Sequence, residues 1–183
     1  TVQATTAPGL TRPYAGGSGS GLGTNLAQPT CGLAVFGSTL YIAAFHHSVV
    51  RALNTGPGTE TVVAGNGTSG DSGRGGLAVN AELNGPASVA VDSSGNLFIG
   101  SSFRVQRVDH STGIITSFAG TGVPGNAGDG GPATSATLSS PLGLAVDASS
   151  NGYVSDNNRV RRTDHSPGVI QASAGPSQAG SHA

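Results

Sequence analysis

The chain has 183 residues, 36% of them apolar, 4% aromatic and only 9% charged, with 31 glycines and 10 prolines. Its eight cations are all arginines against nine acids, giving a net charge of -1, so there is no basic surface to neutralise a phosphate backbone and nucleic acid is not an expected partner. No stretch approaches the roughly 18 consecutive apolar residues of a spanning helix, so no membrane span is expected either.

In chain order, residues 1–9 read as an N-terminal extension and Leu10–Gly16 as a single strand. From Gly32 to Ala64 come four short β-type runs separated by turn residues, with Phe36-Gly37-Ser38 at the first turn. The pattern returns more clearly in the next repeat. Ala87–Asp92 reads as a strand, Ser93-Ser94-Gly95-Asn96 as a tight turn, and Leu97–Gly100 as a second strand. Arg104–Asp109 is a third, His110-Ser111-Thr112-Gly113 turns the chain, and Ile114–Ala119 is a fourth. The third repeat runs from Leu142 to Ala174, and residues 176–183 form a C-terminal tail. No 3.6-residue apolar periodicity predicts a helix.

The repeats keep one period. Ala64-Gly65, Ala119-Gly120 and Ala174-Gly175 stand 55 residues apart. Pro29, Pro86 and Pro141 mark it again, as do Leu33-Ala34-Val35, Val89-Ala90-Val91 and Leu144-Ala145-Val146. A fixed period of this length means stacked supersecondary units. Between repeats run Gly-rich connections such as Gly120–Ser140, too long for hairpins and suited to crossing from the outer edge of one sheet to the inner edge of the next. The expected fold is all-β: a β-propeller-like array of three four-stranded antiparallel blades, at about 32–64, 87–119 and 142–174, plus an extra N-terminal outer strand.

Pro86-Ala87-Ser88-Val89-Ala90-Val91-Asp92 with Gly95-Asn96-Leu97-Phe98-Ile99 and Arg104-Val105-Gln106-Arg107-Val108-Asp109 resembles the NHL repeat of β-propeller proteins. So does Pro141–Asp147 with Arg159–Asp164, and Gly128-Asp129-Gly130-Gly131-Pro132-Ala133 is similar to the connections of the bacterial subtype. The resemblance covers roughly residues 10–175 and implies a propeller; such rings need at least four blades and usually have six. The first repeat departs most, with Phe36 in place of the aspartate and Phe45-His46-His47-Ser48 at its middle turn. Three blades leave two end faces uncovered, and a repeat array with wet ends is marginal. The chain therefore reads as a piece of a longer propeller or as a subunit whose edges are completed by copies of itself.

On the propeller reading, the turns after the second strands and the Gly-rich connections share one face, where His46, His47, Phe103, Arg104, Asp156, Asn157, Asn158 and Arg159 fall as a candidate ligand face. Two adjacent histidines diverge in an extended loop, and zinc needs three or four ligands, so no metal site is assigned. Asp71 and Asp129 read as turn residues rather than calcium ligands. Asp92, Asp147, and the pairs Asp109-His110 and Asp164-His165, read as repeated Asx-turn devices. Arg51, Arg107 and Arg162 are read as one recurring strand position, each pairing with a nearby acid. Cys31 has no partner for a disulfide and reads as a small buried residue, while Asn66-Gly67-Thr68 is a glycosylation sequon.

No catalytic constellation or phosphate loop stands out, and no cofactor is expected. The sequence favours a non-enzymatic extracellular or cell-surface scaffold of NHL-like blades, self-associating into a ring or fibre, with another protein or a glycan as further partner. The alternatives are half of a catalytic propeller, a lyase or hydrolase, and a ligand-sensing module of a larger receptor.

Overall fold

The computed structural model describes residues 2–7, 10–15, 32–55, 59–166 and 168–175, the first two stretches by backbone pairing alone. Strand β1 (Val2–Ala7) pairs antiparallel with β2 (Leu10–Ala15), with Ala4 opposite Arg12 and Thr5 opposite Thr11. The strand expected at residue 10 is therefore present, but its partner was read as an extension. The Thr- and Val-containing run Val2–Ala7 and the Pro8-Gly9 dipeptide that follows were the overlooked signals.

Three four-stranded antiparallel sheets follow, each with its strands side by side in chain order. The first blade is β3 (Leu33–Phe36), β4 (Thr39–Ala44), β5 (Val49–Asn54) and β6 (Glu60–Ala64). The second is β7 (Pro86–Val91), β8 (Leu97–Ser101), β9 (Arg104–Val108) and β10 (Ile115–Ala119). The third is β11 (Pro141–Val146), β12 (Gly152–Asp156), β13 (Arg159–Thr163) and β14 (Ile170–Ala174). The first strands stand next to one another, β3 against β7 and β7 against β11, so the blades radiate from a common axis. This is a β-propeller arrangement.

The sequence markers now have causes. Pro86 and Pro141 open the innermost strands, where a residue without an N–H costs no ladder bond. Ala64 and Ala119 are fully buried, and the glycines after them, Gly65 and Gly120, adopt φ of +89° and +87°. A Cβ on Gly65 would overlap the backbone of Ser48 and Val49, and one on Gly120 that of Phe103 and Arg104. From that position each glycine N–H donates to the next connection, Gly65 to the carbonyl of Ala78 and Gly120 to that of Ala133, both at 2.9 Å.

The connections are more ordered than crossings. Each contains a 3-10 turn, Ala78–Asn80 or Ala133–Ser135, that the sequence reading did not foresee. Ala78, Ala81 and Leu83 are buried, and so are Ala133, Ala136 and Leu138. The same Ala-x-x-Ala-x-Leu spacing occurs 55 residues apart, and each set wedges into the core between two blades.

We call the face of each blade that looks toward the preceding blade its leading face, and the other its trailing face. The trailing face of the first blade, with Tyr41, Ala43 and Val50, packs on the leading face of the second, with Val89, Ile99 and Ile115. The trailing face of the second, with Ala90, Phe98 and Val105, packs on Val154 and Ile170 of the third. Phe98 is fully buried and meets Phe118 edge to face at 4.9 Å. Polar links reinforce the joint, with Ser88 Oγ donating to the Pro141 carbonyl at 2.9 Å and Ser150 Oγ to Asp92 Oδ2 at 2.8 Å.

One expectation is corrected by the register. Val50, Val105 and Val160 pair with Ala64, Ala119 and Ala174, so Arg51 shares its position with Gln106 and Arg161, not with Arg107 and Arg162. Arg107 and Arg162 do pair with the acids two residues on, Asp109 at 3.3 Å and Asp164 at 2.7 Å. Arg51 pairs with Glu60 at 3.2 Å.

Candidate functional site

At one end of the blades lie the turns that join first to second and third to fourth strands. Asp92 Oδ1 accepts from the backbone N–H of Ser94 at 3.0 Å and Asn96 at 2.9 Å, and the Asn96 amide donates to Asp92 Oδ2 at 2.8 Å. Asp147 is bound the same way by Ser149 and Asn151. The Asn then bridges to the other turn, since Asn96 Oδ1 accepts from the backbone N–H of His110 at 3.1 Å and Asn151 Oδ1 from His165 at 3.0 Å. The repeated histidines thus contribute backbone N–H groups, and their turns are structural, as the sequence implied for the aspartates. In the first blade Phe36 takes the aspartate's place and packs edge-on against the His110 ring at 5.8 Å.

These hydrogen bonds shift the carboxylates. Burial pushes Asp92 up, but bonds from Asn96, Ser150 and Ser94 outweigh it and hold the group below the ordinary range. Asp147 is lowered chiefly by the Asn151 side chain and backbone. Asp109 is held well below the usual carboxylate range by the Ser111 hydroxyl and by Thr112.

At the opposite end, where second strands turn into third strands, charged residues clamp each connection onto the blade it leads into. Arg161 is fully buried: its Nε donates to Asp129 Oδ1 at 2.9 Å, and its Nη1 to the Thr137 carbonyl at 2.7 Å. Arg159 meets Asp129 Oδ2 at 2.8 Å. Asp156, also fully buried, accepts from the backbone N–H groups of Ser139 at 2.6 Å and Ser140 at 3.2 Å, and lies 3.4 Å from Arg161 and 3.8 Å from Arg159. Two cations and two anions close a neutral cluster, as burial of charge requires. The second blade carries a lighter version: Arg104 pairs with Asp71 at 3.1 Å and donates to the Gly120 carbonyl at 2.8 Å, while Ser101 and Gln106 take the places of Asp156 and Arg161 and are joined by a 3.2 Å hydrogen bond.

The expected ligand face is accordingly divided. Arg104, Arg159 and Asp156 are turned inward as clamps and are not presented to a ligand. Asn157 and Asn158 are exposed at the third blade's turn, with Asn157 at φ +59°. His46 and His47 sit on the 3-10 turn Phe45–His47, where His46 is exposed and packs edge-on against Phe45 at 5.2 Å. Asp71 and Asp129, read as turn residues, are the anions of the clamps. Arg161 was missed. Alternation along β13 places it beside Arg159 and away from Arg162, so three cations within four residues were the available signal.

A cleft of about 220 Å³ opens between the three blades at this end, lined among others by Phe45, Asn84, Ser102, Phe103, Ser139 and Leu142. It is smaller than a typical drug-sized site, at roughly 300–1,000 Å³. Its lining offers rings, hydroxyls and an amide but no titratable side chain. Among the described residues, no three His, Cys, Asp or Glu side chains come together as a metal ion would need. Asn66 of the sequon is exposed and uses its Oδ1 to accept from the Thr68 N–H at 2.8 Å, closing an Asx turn. Cys31 and the tail at 176–183 lie outside the described residues.

No family model and no curated protein matches the chain. Solved structures do. A Bacteroides thetaiotaomicron protein of unknown function matches with a TM-score of 0.62 at 17% identity, over 83% of this chain and 37% of its own. The extracellular domain of a hybrid two-component system from B. thetaiotaomicron matches at 0.50 and 14%, over 76% of this chain and 16% of its own. Virginiamycin B lyase from Staphylococcus aureus matches at 0.51 and 14%, over 80% of this chain and 41% of its own. The chain thus spans less than half the length of each, and at these identities the likeness establishes the β-propeller fold alone.

Proposed function

We propose that this chain is a non-enzymatic extracellular scaffold of NHL-type blades that associates with copies of itself into a ring or fibre. The observation that carries the reading is the use of the rim charges. In enzyme propellers the groups that do chemistry must converge, unpartnered, on a pocket; here Arg104, Arg159, Arg161, Asp129 and Asp156 are bound to one another and to backbone carbonyls and N–H groups, holding connections onto blades. The cleft between the turns has no acid or base in its lining and suits a neutral group of a protein or glycan ligand. Self-association is supported by Leu33 and Val35, 50% and 66% exposed on the leading face of the first blade. The extracellular placement draws on the all-arginine, Ser- and Thr-rich composition and on the two-component-system domain of like fold.

The test is energy transfer between copies labelled with donor and with acceptor at the N-terminus, mixed at micromolar concentration. Transfer that is abolished by excess unlabelled chain is the expected result. Absence of transfer at every concentration, with the chain folded, overturns the reading.

A further inference from the structure

The two internal joints show what a blade's trailing face is made of and what covers it. On the first and second blades that face carries Ala34 and Ala90 opposite Tyr41 and Phe98, and Val50 and Val105 opposite Ala64 and Ala119. Apart from Ala34, which is partly covered, all of these are buried, because the next blade's leading face and its connection lie on them. The third blade repeats the set at the same register: Ala145 opposite Tyr153, and Val160 opposite Ala174. Yet Ala145 and Ala174 are exposed and Tyr153 and Val160 only half-buried.

The chain therefore carries, on its last described blade, the residues of a joint it does not fill. Gly175 agrees, with φ of +90° and a would-be Cβ 2.7 Å from the Asn158 carbonyl, the geometry of Gly65 and Gly120. Beside it Asn158, Arg159, Val160 and Ala174 line an open cleft of about 400 Å³. At the internal joints the corresponding glycines are covered by Leu83 and Leu138 of the following connection. At the other end of the array the complementary surface is exposed. Leu33 and Val35 stand at the register of Val89 and Val91 and of Leu144 and Val146, the residues that meet a preceding blade.

Resting on the self-associating reading, we propose that the trailing face of the third blade receives the leading face of the first blade of a second copy, reproducing the internal joints head to tail. Tyr153 then takes the place of Phe98 under a neighbouring blade, and Leu33 and Val35 of the incoming copy take the places of Leu144 and Val146. The contact is heterologous, so two chains that close give a ring of six blades and chains that do not close give a fibre.

The test uses two single variants at exposed positions that leave the internal joints untouched: Ala145→Arg blocks the trailing end and Val35→Arg the leading end. An unpaired charge inside an apolar joint weakens each self-association by about a hundredfold or more. Each variant alone is therefore expected to be monomeric by sedimentation velocity, with wild-type circular dichroism, and a 1:1 mixture to form a dimer through its one unblocked pair of ends. Val160→Arg is the second trailing-end variant and is expected to behave as Ala145→Arg does. Variants that assemble like the wild type, or a mixture that stays monomeric, overturn this joint while leaving self-association standing. A wild-type chain that is itself monomeric overturns both.

Discussion

Arg161 and Asp129 are the residues on which the third blade's connection depends. Arg161 has no exposed surface, so removing Asp129 leaves a buried guanidinium with only Asp156 and two carbonyls as partners. Breaking a buried pair from one side costs about 3–5 kcal/mol. Asp129→Ala is expected to lower stability by about that amount in chemical denaturation, and Arg162→Ala, whose Asp164 pair is partly solvated, by under about 1 kcal/mol. Equal losses at the two positions would contradict the clamp. The turn carboxylates predict the pH response. Asp92, Asp109 and Asp147 have depressed values when folded, so their stabilisation is complete above the unfolded carboxylate value of about 3.9 and is lost as pH falls through the folded values. The melting temperature is expected to be flat from pH 7 to 5 and to drop steeply below about 4, with a shallower drop in Asp92→Asn. At this scale the sequence was legible where a residue acts on its own turn and poorly legible where it acts across the chain. Asp92 and Asp147 could be read as turn formers because their acceptor groups lie within four residues. The partners of Arg104 and Arg159 lie about 30 residues away in a connection whose course the sequence does not specify. Asp71 and Asp129 are 58 residues apart, not 55, and that mismatch was the one sign that they occupy different positions.

Strands and connections differ in how plainly they are written. Alternation and turn residues placed all twelve blade strands to within a residue or two in the second and third repeats, because the period-2 pattern and the Asp-x-x-Gly-Asn turns are local. Register was harder. A bulge beside Val50, Val105 and Val160 shifts the outer pairing by one residue, and the assignment of Arg51 failed across that kind of offset. The connections hid their structure behind composition, since Gly-rich sequence reads as loop while Ala78, Ala81 and Leu83 form a buried wedge. Leu138→Ala is expected to cost about 2–5 kcal/mol, a core-sized penalty for a residue in a nominal loop. Gly120→Ala, with φ at +87° and the backbone of Phe103 in the way, should be at least as damaging as the roughly 1 kcal/mol of an incompatible Gly→Ala. Denaturant titrations of both variants decide this; a wild-type midpoint for either would show that the connection is not part of the core.

At the scale of the whole molecule, the 55-residue period made the blade array legible, and the structure agrees on three four-stranded blades. Function was less legible because no group in the sequence is committed to chemistry, and the most conspicuous charges prove to be internal fasteners. What the array leaves over is its ends: a leading face with exposed Leu33 and Val35, and a trailing face that repeats the residues of a filled joint. In a stack where each blade is stabilised by its neighbours, such ends are where a further blade adds most. The most direct measurement is the molar mass of the native chain by light scattering across concentration. The account predicts a mass near twice the 17.7 kDa of one chain for a closed ring, or a mass that climbs steadily with concentration for a fibre. A folded particle of 17.7 kDa at all concentrations would contradict it.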